Sequence, residues 1–289
     1  MTISVLLSLY KAETAKNFDR ALKSIWDWQS LKPNQIVLIE DGPLTEELYS
    51  TIEEWKNKIG DVLTICKNET NLGLTKSLNK GIQYVTSDLI ARMDSDDMSD
   101  PQRFERQRNF LIENPDIDIV GGAMYEFSGE VICHKEKYEI KPIKESIRKY
   151  PSNEKEINKY ICKASPLCHG TVMMRTNIFT EKGIKYDERY RTSQDIALWF
   201  DALCAGCKIS NINEVVYCME VEDCISRRSR KKAYNEFKIY LNGIKRLHGF
   251  TFRYIYPIAR YLFRLMPEWL IKMVYTSSFR TKFLQNKKG

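Results

Sequence analysis

The stretch Leu89-Ile90-Ala91-Arg92-Met93-Asp94-Ser95-Asp96-Asp97 sets the reading of this chain: a short apolar run that ends in three carboxylates within four residues. Like charges at this density repel one another, so such a cluster belongs in a solvated turn or beside a cation. Hard divalent cations take oxygen ligands, and Mg²⁺ is usually held by one or two carboxylates together with substrate phosphates. If the segment is extended, Asp94 and Asp96 share a face and Asp97 points the other way. The apolar run reads as a strand, which puts the acids at its carboxyl end.

Toward the N-terminus, the runs at 3–9, 35–39 and 62–66 also read as strands, and 18–28, 45–59 and 74–85 carry helical spacing between them. Strands alternating with helices predict an α/β fold, a parallel sheet with helices on both faces. Ligands of such sheets bind beyond the carboxyl ends of the strands. Asp41, the turn at Asn71 and Gly73, and the acidic cluster all fall there, so one crevice can hold them. Toward the C-terminus, 101–111 reads as a helix with Pro101 in its first turn. Strands are expected at 117–125, 171–174 and 209–219, with a helix over 192–203 that Ser193 would cap. Residues 129–160, rich in Lys and Glu with Pro142 and Pro151, read as an irregular or helical insertion over the site.

With 289 residues, 43% apolar and 29% charged, the chain has the balance of a globular protein of one large domain or two small ones. Its first residues lack the basic region and cleavage site of a secretory leader, and no uninterrupted apolar run reaches the ~18 residues of a spanning helix. The eight cysteines then suit reduced thiols in the cytoplasm. Cys204-Ala205-Gly206-Cys207 has no second ligand pair for zinc; it closes a helical pattern, with Gly206 as its cap.

Charge is unevenly spread. Residues 227–289 hold sixteen Lys and Arg against two acids, Glu236 and Glu268, while the whole chain is only +7, so residues 1–226 are net acidic. In this segment Arg253, Arg260 and Arg264 share one helical stripe, among Tyr254, Tyr256, Tyr261, Trp269 and Tyr275, with Pro257 and Pro267 as interruptions. Aromatics interleaved with aliphatics and basic residues predict a basic amphipathic helical extension on an anionic membrane surface rather than a nucleic-acid-binding tail.

The order of motifs is similar to that of the family 2 glycosyltransferases. They are Ser8-Leu9-Tyr10, Ile39-Glu40-Asp41-Gly42, Asn71-Leu72-Gly73-Leu74, Leu78-Asn79-Lys80-Gly81, the acidic cluster with Pro101 and Arg103-Phe104-Glu105, Gly121-Gly122, His169-Gly170-Thr171, Met174-Arg175, Ser193-Gln194-Asp195 and Leu198-Trp199. The resemblance covers residues 1–226 and is strongest to bacterial enzymes that build O-antigens, capsules and exopolysaccharides. It implies the GT-A fold, a Rossmann-like, mostly parallel twisted sheet flanked by helices. Residues 1–100 would be the nucleotide-sugar half, 101–226 the acceptor and catalytic half, and 227–289 the membrane-associating tail.

The resemblance further implies an inverting, metal-dependent transfer of a hexose, galactose or glucose, from a UDP-sugar to a polyprenyl-pyrophosphate-linked sugar. This would make a β-glycosidic bond at the cytoplasmic face of the inner membrane. Asp195 would be the general base. Tyr10, Glu13, Asp41, Asn71, Gly73, Lys76, Arg92, Asp94 and Ser95 would line the nucleotide-sugar, with Asp41 on the uracil imide. Asp96, Asp94 and His169 would hold Mn²⁺ or Mg²⁺. Asp97, His169, Gln194 and Trp199 would surround the donor or acceptor sugar, and Arg227 and Arg228 the lipid diphosphate. Glu40 and Pro43 depart from the commoner Asp-Asp-Gly-Ser, so Asp41 is the acid carried over. Rival readings are an N-acetylhexosamine donor, a non-catalytic nucleotide-sugar or glycan-binding module, and a nucleic-acid-binding protein. Retention of Asp195 beside Asp94 and Asp96 argues against a non-catalytic module.

Overall fold

Continuous apolar runs must be covered on both faces, and the first strands of this chain are. The computed structural model describes residues 1–221 and 230–266. In chain order the first half contains β1 (Ile3–Leu9), α1 (Ala15–Ile25), β2 (Gln35–Asp41), α2 (Glu46–Ile59), β3 (Leu63–Asn68), α3 (Leu74–Ile82) and β4 (Leu89–Met93). Every residue of β2 and β4 is buried, as parallel strands between two helical layers require. Helix α1 starts three residues before the expected 18 because Thr14 Oγ1 accepts the Asn17 amide, closing its first turn.

The second half contains β5 (Met98–Ser99), α4 (Arg103–Glu113), β6 (Ile119–Cys133), β7 (Tyr138–Arg148), α5 (Glu154–Tyr160), β8 (Met173–Arg175), α6 (Asn177–Thr180), α7 (Gln194–Cys204), β9 (Ile209–Glu220), α8 (Arg230–His248) and α9 (Ile255–Leu265). The sheet runs β3-β2-β1-β4-β8-β6-β9-β5, with β7 paired to β6. Strands β1 to β4 are mutually parallel. Beyond β4 the sheet is mixed, with β8 antiparallel to both β4 and β6. The chain builds outward from β1 to β3 and then returns to the other side of β1 as β4. That reversal opens a crevice at the carboxyl ends of β1 and β4, just where Tyr10 and Asp94 follow.

The expectation for 129–160 is corrected. Most of this stretch is a β-hairpin of β6 and β7, in register from Met124 opposite Arg148 to Cys133 opposite Tyr138, with a bulge at Ser128 and Gly129. Only 154–160 is helical. The expected strand at 171–174 shortens to β8, preceded by a 3₁₀ turn over His169–Thr171. Gly206 does close α7: its amide returns to Leu203 O, and that of Cys207 to Ala202 O at 2.9 Å, the pairing of a Schellman end.

A helical extension beginning at 227 also needs correction, because α8 belongs to the main core. Ile239, Tyr240 and Ile244 are buried in the same cluster as Trp199 and Phe200 of α7. Gly243 allows this approach: a Cβ there would sit 2.2 Å from the Phe200 ring. Helix α9 then packs on α8 through Phe237 stacked on Tyr261 at 4.7 Å. Arg260 Nη1 donates to Glu236 at 2.9 Å, and Arg264 pairs with the same carboxylate. The arginine stripe foreseen by spacing is therefore present, but two of its members face inward. Arg253 also turns to the body, donating to His248 Nε2 at 2.9 Å.

Candidate functional site

One buried cation organises the crevice. Arg92, on β4 between β1 and β8, is 3% exposed and forms an ion pair with Asp94, two residues on. Burial is the largest single influence and works against its charge, but Asp94, Tyr217 and Tyr186 together outweigh it and keep the guanidinium protonated well above its ordinary range. Its Nε is buried without a protein partner. The same charge reaches Asp96, Asp97, His169 and Asp195. The acidic cluster and the proposed base thus share one field, although about a hundred residues separate them in sequence.

The three acids of the cluster differ. Asp94 receives Arg92 and lies 3.2 Å from the Tyr217 hydroxyl. Asp97 is buried and accepts the Tyr217 hydroxyl at 2.9 Å. Burial, then Asp94 and Asp96, raise its carboxyl well above the usual range, against the pull of that hydrogen bond. Asp96 keeps an exposed side, but crowding by the surrounding protein, with Asp94 and Glu13 nearby, pushes its carboxyl up to about 6. Arg20 holds the backbone here, donating to Asp96 O at 2.9 Å and to Glu220 at 3.0 Å. Ser95 is buried within the loop.

Two residues hold this geometry: Tyr217, which sequence reading missed, and Arg103, which it quoted only as a motif residue. Tyr217, on β9, is fully buried and also accepts the Asp94 amide at 3.3 Å. It has one proton for two carboxylates, so it ties Asp94 to Asp97 without neutralising both. A Cβ at Gly170 would lie 2.4 Å from the Tyr217 ring, which explains the glycine of His169-Gly170-Thr171. Arg103, from α4, is fully buried and donates to Arg92 O at 2.8 Å and Val172 O at 3.2 Å, and through Nε to Gln107 Oε1 at 3.1 Å. Burial pulls its pKa down to about 10. Neither role is visible in a local pattern, since Tyr217 meets the acidic loop from more than a hundred residues away and Arg103 joins β4 to the segment before β8.

On the nucleotide side, Asp41 has an internal job beyond the uracil contact expected of it. Its carboxylate accepts Asn68 Nδ2 at 3.0 Å, Leu72 N at 2.8 Å and Gly73 N at 2.9 Å. It therefore folds the loop of Asn71 and Gly73 into place, and four acceptor directions less three donors leave one free. Lys76 is exposed in the first turns of α3, and Tyr10 is 48% exposed beyond β1. Glu13 Oε1 accepts the Thr14 amide at 2.8 Å and Asn17 Nδ2 at 3.2 Å.

On the opposite side, Asp195 lies in the first turn of α7. Burial raises its carboxyl; the amides of Ile196 and Asp195 itself, and then Arg92, oppose the rise. The helix-end stabilisation expected for it is present but outweighed. Ser193 stands at the N-cap position in a left-handed conformation, φ 61°, with no side-chain capping bond, so its expected cap is corrected. Gln194 is buried beside it.

His169 Nε2 pairs with Tyr186 Oη at 2.7 Å, and its ring meets Trp199 edge-on at 6.1 Å. Burial and Arg92 hold it well below its ordinary pKa, hence neutral. Among the described residues no group of three or more His, Cys, Asp or Glu is arranged to hold a metal. Asp94, Asp96 and His169, expected together, do not form such a group. Trp199 is corrected as well: at 0% exposed it lies beneath His169 and cannot face a sugar directly. Arg227 and Arg228 lie outside the described residues. A cavity of about 430 Å³ between α7, α8 and the 187–190 loop is lined by Arg189, Tyr190, Asn242, Lys245 and Arg246, among others.

Comparison with known proteins bears on this geometry. Residues 4–181 match the family model described as glycosyl transferase family 2. The amylovoran biosynthesis glycosyltransferase AmsE of Erwinia amylovora is 29% identical over 275 residues, covering 94% of this chain and 97% of that one. The UDP-Gal:alpha-D-GlcNAc-diphosphoundecaprenol beta-1,3-galactosyltransferase of Escherichia coli is 30% identical over 237 residues, covering 81% of this chain and 80% of that one. Among solved structures, S. aureus TarS 1–349 in complex with UDP-GlcNAc superposes with a TM-score of 0.64 at 19% identity, over 100% of this chain and 76% of that one. At that identity the likeness speaks for the GT-A fold alone.

Proposed function

The chain belongs to glycosyl transferase family 2, a family of sugar-transferring enzymes, and on that premise we propose that it is an inverting, metal-dependent hexosyltransferase. In this reading it moves galactose or glucose from a UDP-sugar to a lipid-pyrophosphate-linked sugar and forms a β-glycosidic bond, in the assembly of a bacterial surface polysaccharide. The work takes place at the cytoplasmic face of the membrane. The observation that carries the reading is the buried Arg92, paired with Asp94, whose charge acts on both Asp96 and Asp195. The named activity of the E. coli relative supports the choice of donor and acceptor.

Asp94 and Asp96 suit a divalent cation: both are hard oxygen donors, and the like charge that raises Asp96 is what a cation relieves. When bound, Mn²⁺ or Mg²⁺ supplies Lewis-acid stabilisation of the departing diphosphate. The loop folded by Asp41 receives the nucleotide, with Lys76 and Tyr10 at its open side. Asp97, tied to Tyr217, orients the donor sugar. Asp195 takes the proton from the acceptor hydroxyl, and burial, by raising its carboxyl, makes it a stronger base than a free carboxylate. Neutral His169, braced by Tyr186 and Trp199, presents its remaining nitrogen to substrate. A single in-line displacement inverts the anomeric centre.

The test is a panel of nucleotide sugars with Mn²⁺, scored for transfer to a water-soluble, short-chain diphosphate-linked GlcNAc. UDP-galactose or UDP-glucose is expected to give a β-linked disaccharide. A retained α configuration, or transfer undiminished in EDTA, overturns the mechanism.

A further inference from the structure

Turning Arg260 and Arg264 inward leaves the opposite side of α9 without polar residues. Ile255, Ile258, Leu262 and Leu265 recur at spacings of three and four, so they form one stripe. They are exposed, Ile255 at 62% and Leu262 at 57%, and Phe250 and Phe252 extend the stripe at 97% and 80%. Large apolar side chains left together in water mark a contact surface.

We propose that this face of α9 seats in the headgroup region of an anionic bilayer. Charge selects the occupant. Residues 230–266 contain nine Lys and Arg and one acid, Glu236. That acid is held by Arg260 and Arg264 on the inner side of the helix. Among the described residues of α8 and α9, no carboxylate is therefore left free to repel anionic lipid, and the exposed Lys232, Lys238 and Lys245 of α8 remain to attract it. The helix has 11 residues, and among the described residues none is long and apolar enough to cross a membrane. It therefore lies on the bilayer surface.

The proposal rests on the reading of a lipid-linked acceptor for its purpose, and it adds a geometry. Helix α9 packs on α8, and α8 on α7, whose first turn carries Asp195. At ~8–10 Å per helix packing, the stripe and the base are separated by α8, so the base does not sit at the bilayer surface itself. The acceptor must pass those layers beside the α7–α8 cavity, where Arg189 is paired with Asp187, Arg246 with Asp201, and Lys245 also lines the wall.

The test uses the full chain in vesicle flotation, with phosphatidylcholine alone and with 30% phosphatidylglycerol. Wild type is expected to float with the anionic vesicles and to be released by salt. The double substitution Ile258→Glu and Leu262→Glu is expected to weaken partitioning at least tenfold; Phe250→Ser with Phe252→Ser serves as an independent pair outside the helix. Transfer to the short-chain soluble acceptor should stay within twofold in both variants. Loss of that transfer in wild type would count against the enzyme reading and leave the vesicle result standing. Wild type that does not float, or variants that float as well as wild type, overturns the proposal. A dimer that the substitutions turn into a monomer, with no change on vesicles, assigns the face to a second copy instead.

Discussion

The crevice and the α8–α9 pair use the same chemistry in opposite proportion. In the crevice one buried guanidinium, Arg92, serves Asp94, Asp96, Asp97 and Asp195. Between α8 and α9 one carboxylate, Glu236, is shared by Arg260 and Arg264. In the first arrangement the carboxyls are raised, by burial first and then, at Asp96 and Asp97, by neighbouring carboxylates that a single cation does not offset. The second satisfies its single acid twice and closes. An ion-pair network short of cations waits for a ligand; one with cations to spare holds two helices together.

Breaking the crevice should affect turnover most. Asp195→Asn is expected to lower kcat by ~10³ while calorimetric UDP binding is unchanged; retained transfer would mean another base. Asp96→Ala should cost ~10² in Mn²⁺-supported kcat/KM. It should also raise the melting temperature of the metal-free protein by ~1–2 °C, an effect kept small by solvent screening. The sign follows from linkage. A carboxyl raised to about 6 in the folded state contributes stability that is present below the unfolded carboxylate range and lost as pH rises through about 6. The ionised group at neutral pH is therefore a cost. For the same reason Mn²⁺ affinity, read by titration calorimetry, should fall ~10-fold per pH unit below about 6.

Tyr217→Phe should lower kcat/KM by ~10-fold and weaken Mn²⁺ binding, because Asp94 and Asp97 lose the hydroxyl between them. An unchanged Mn²⁺ titration would reduce Tyr217 to packing. At the closed end, Glu236→Gln leaves two guanidiniums facing no charge. A destabilisation of ~2 kcal/mol is expected, read as a fall of ~4–8 °C in Tm, with soluble-acceptor kcat within twofold. A large loss of kcat there would erase the distinction between the two networks.

Sequence made the first half of the sheet legible because β1, β2 and β4 are buried on both faces and read as unbroken apolar runs. Asp41, Asp94 and Asp195 were legible through the order of motifs around them. Strand β7 was not: almost all of it is exposed, its alternation stops after Tyr138 and Ile140 at Pro142, and its strand character comes from pairing with β6. Tyr217 was invisible, and Arg103 stood out only as a motif residue without a role, because the groups they bridge are brought together only by the fold. The stripe of Arg253, Arg260 and Arg264 was found by spacing, but spacing cannot say which way a stripe faces. Glu236, on the preceding helix, decides that.

Strand β8 has one more consequence. Three residues, Met173 to Arg175, join the parallel half of the sheet to the mixed half. Pulled apart mechanically, the molecule would part along this narrow seam, with the guanidinium of Arg103 as its rivet.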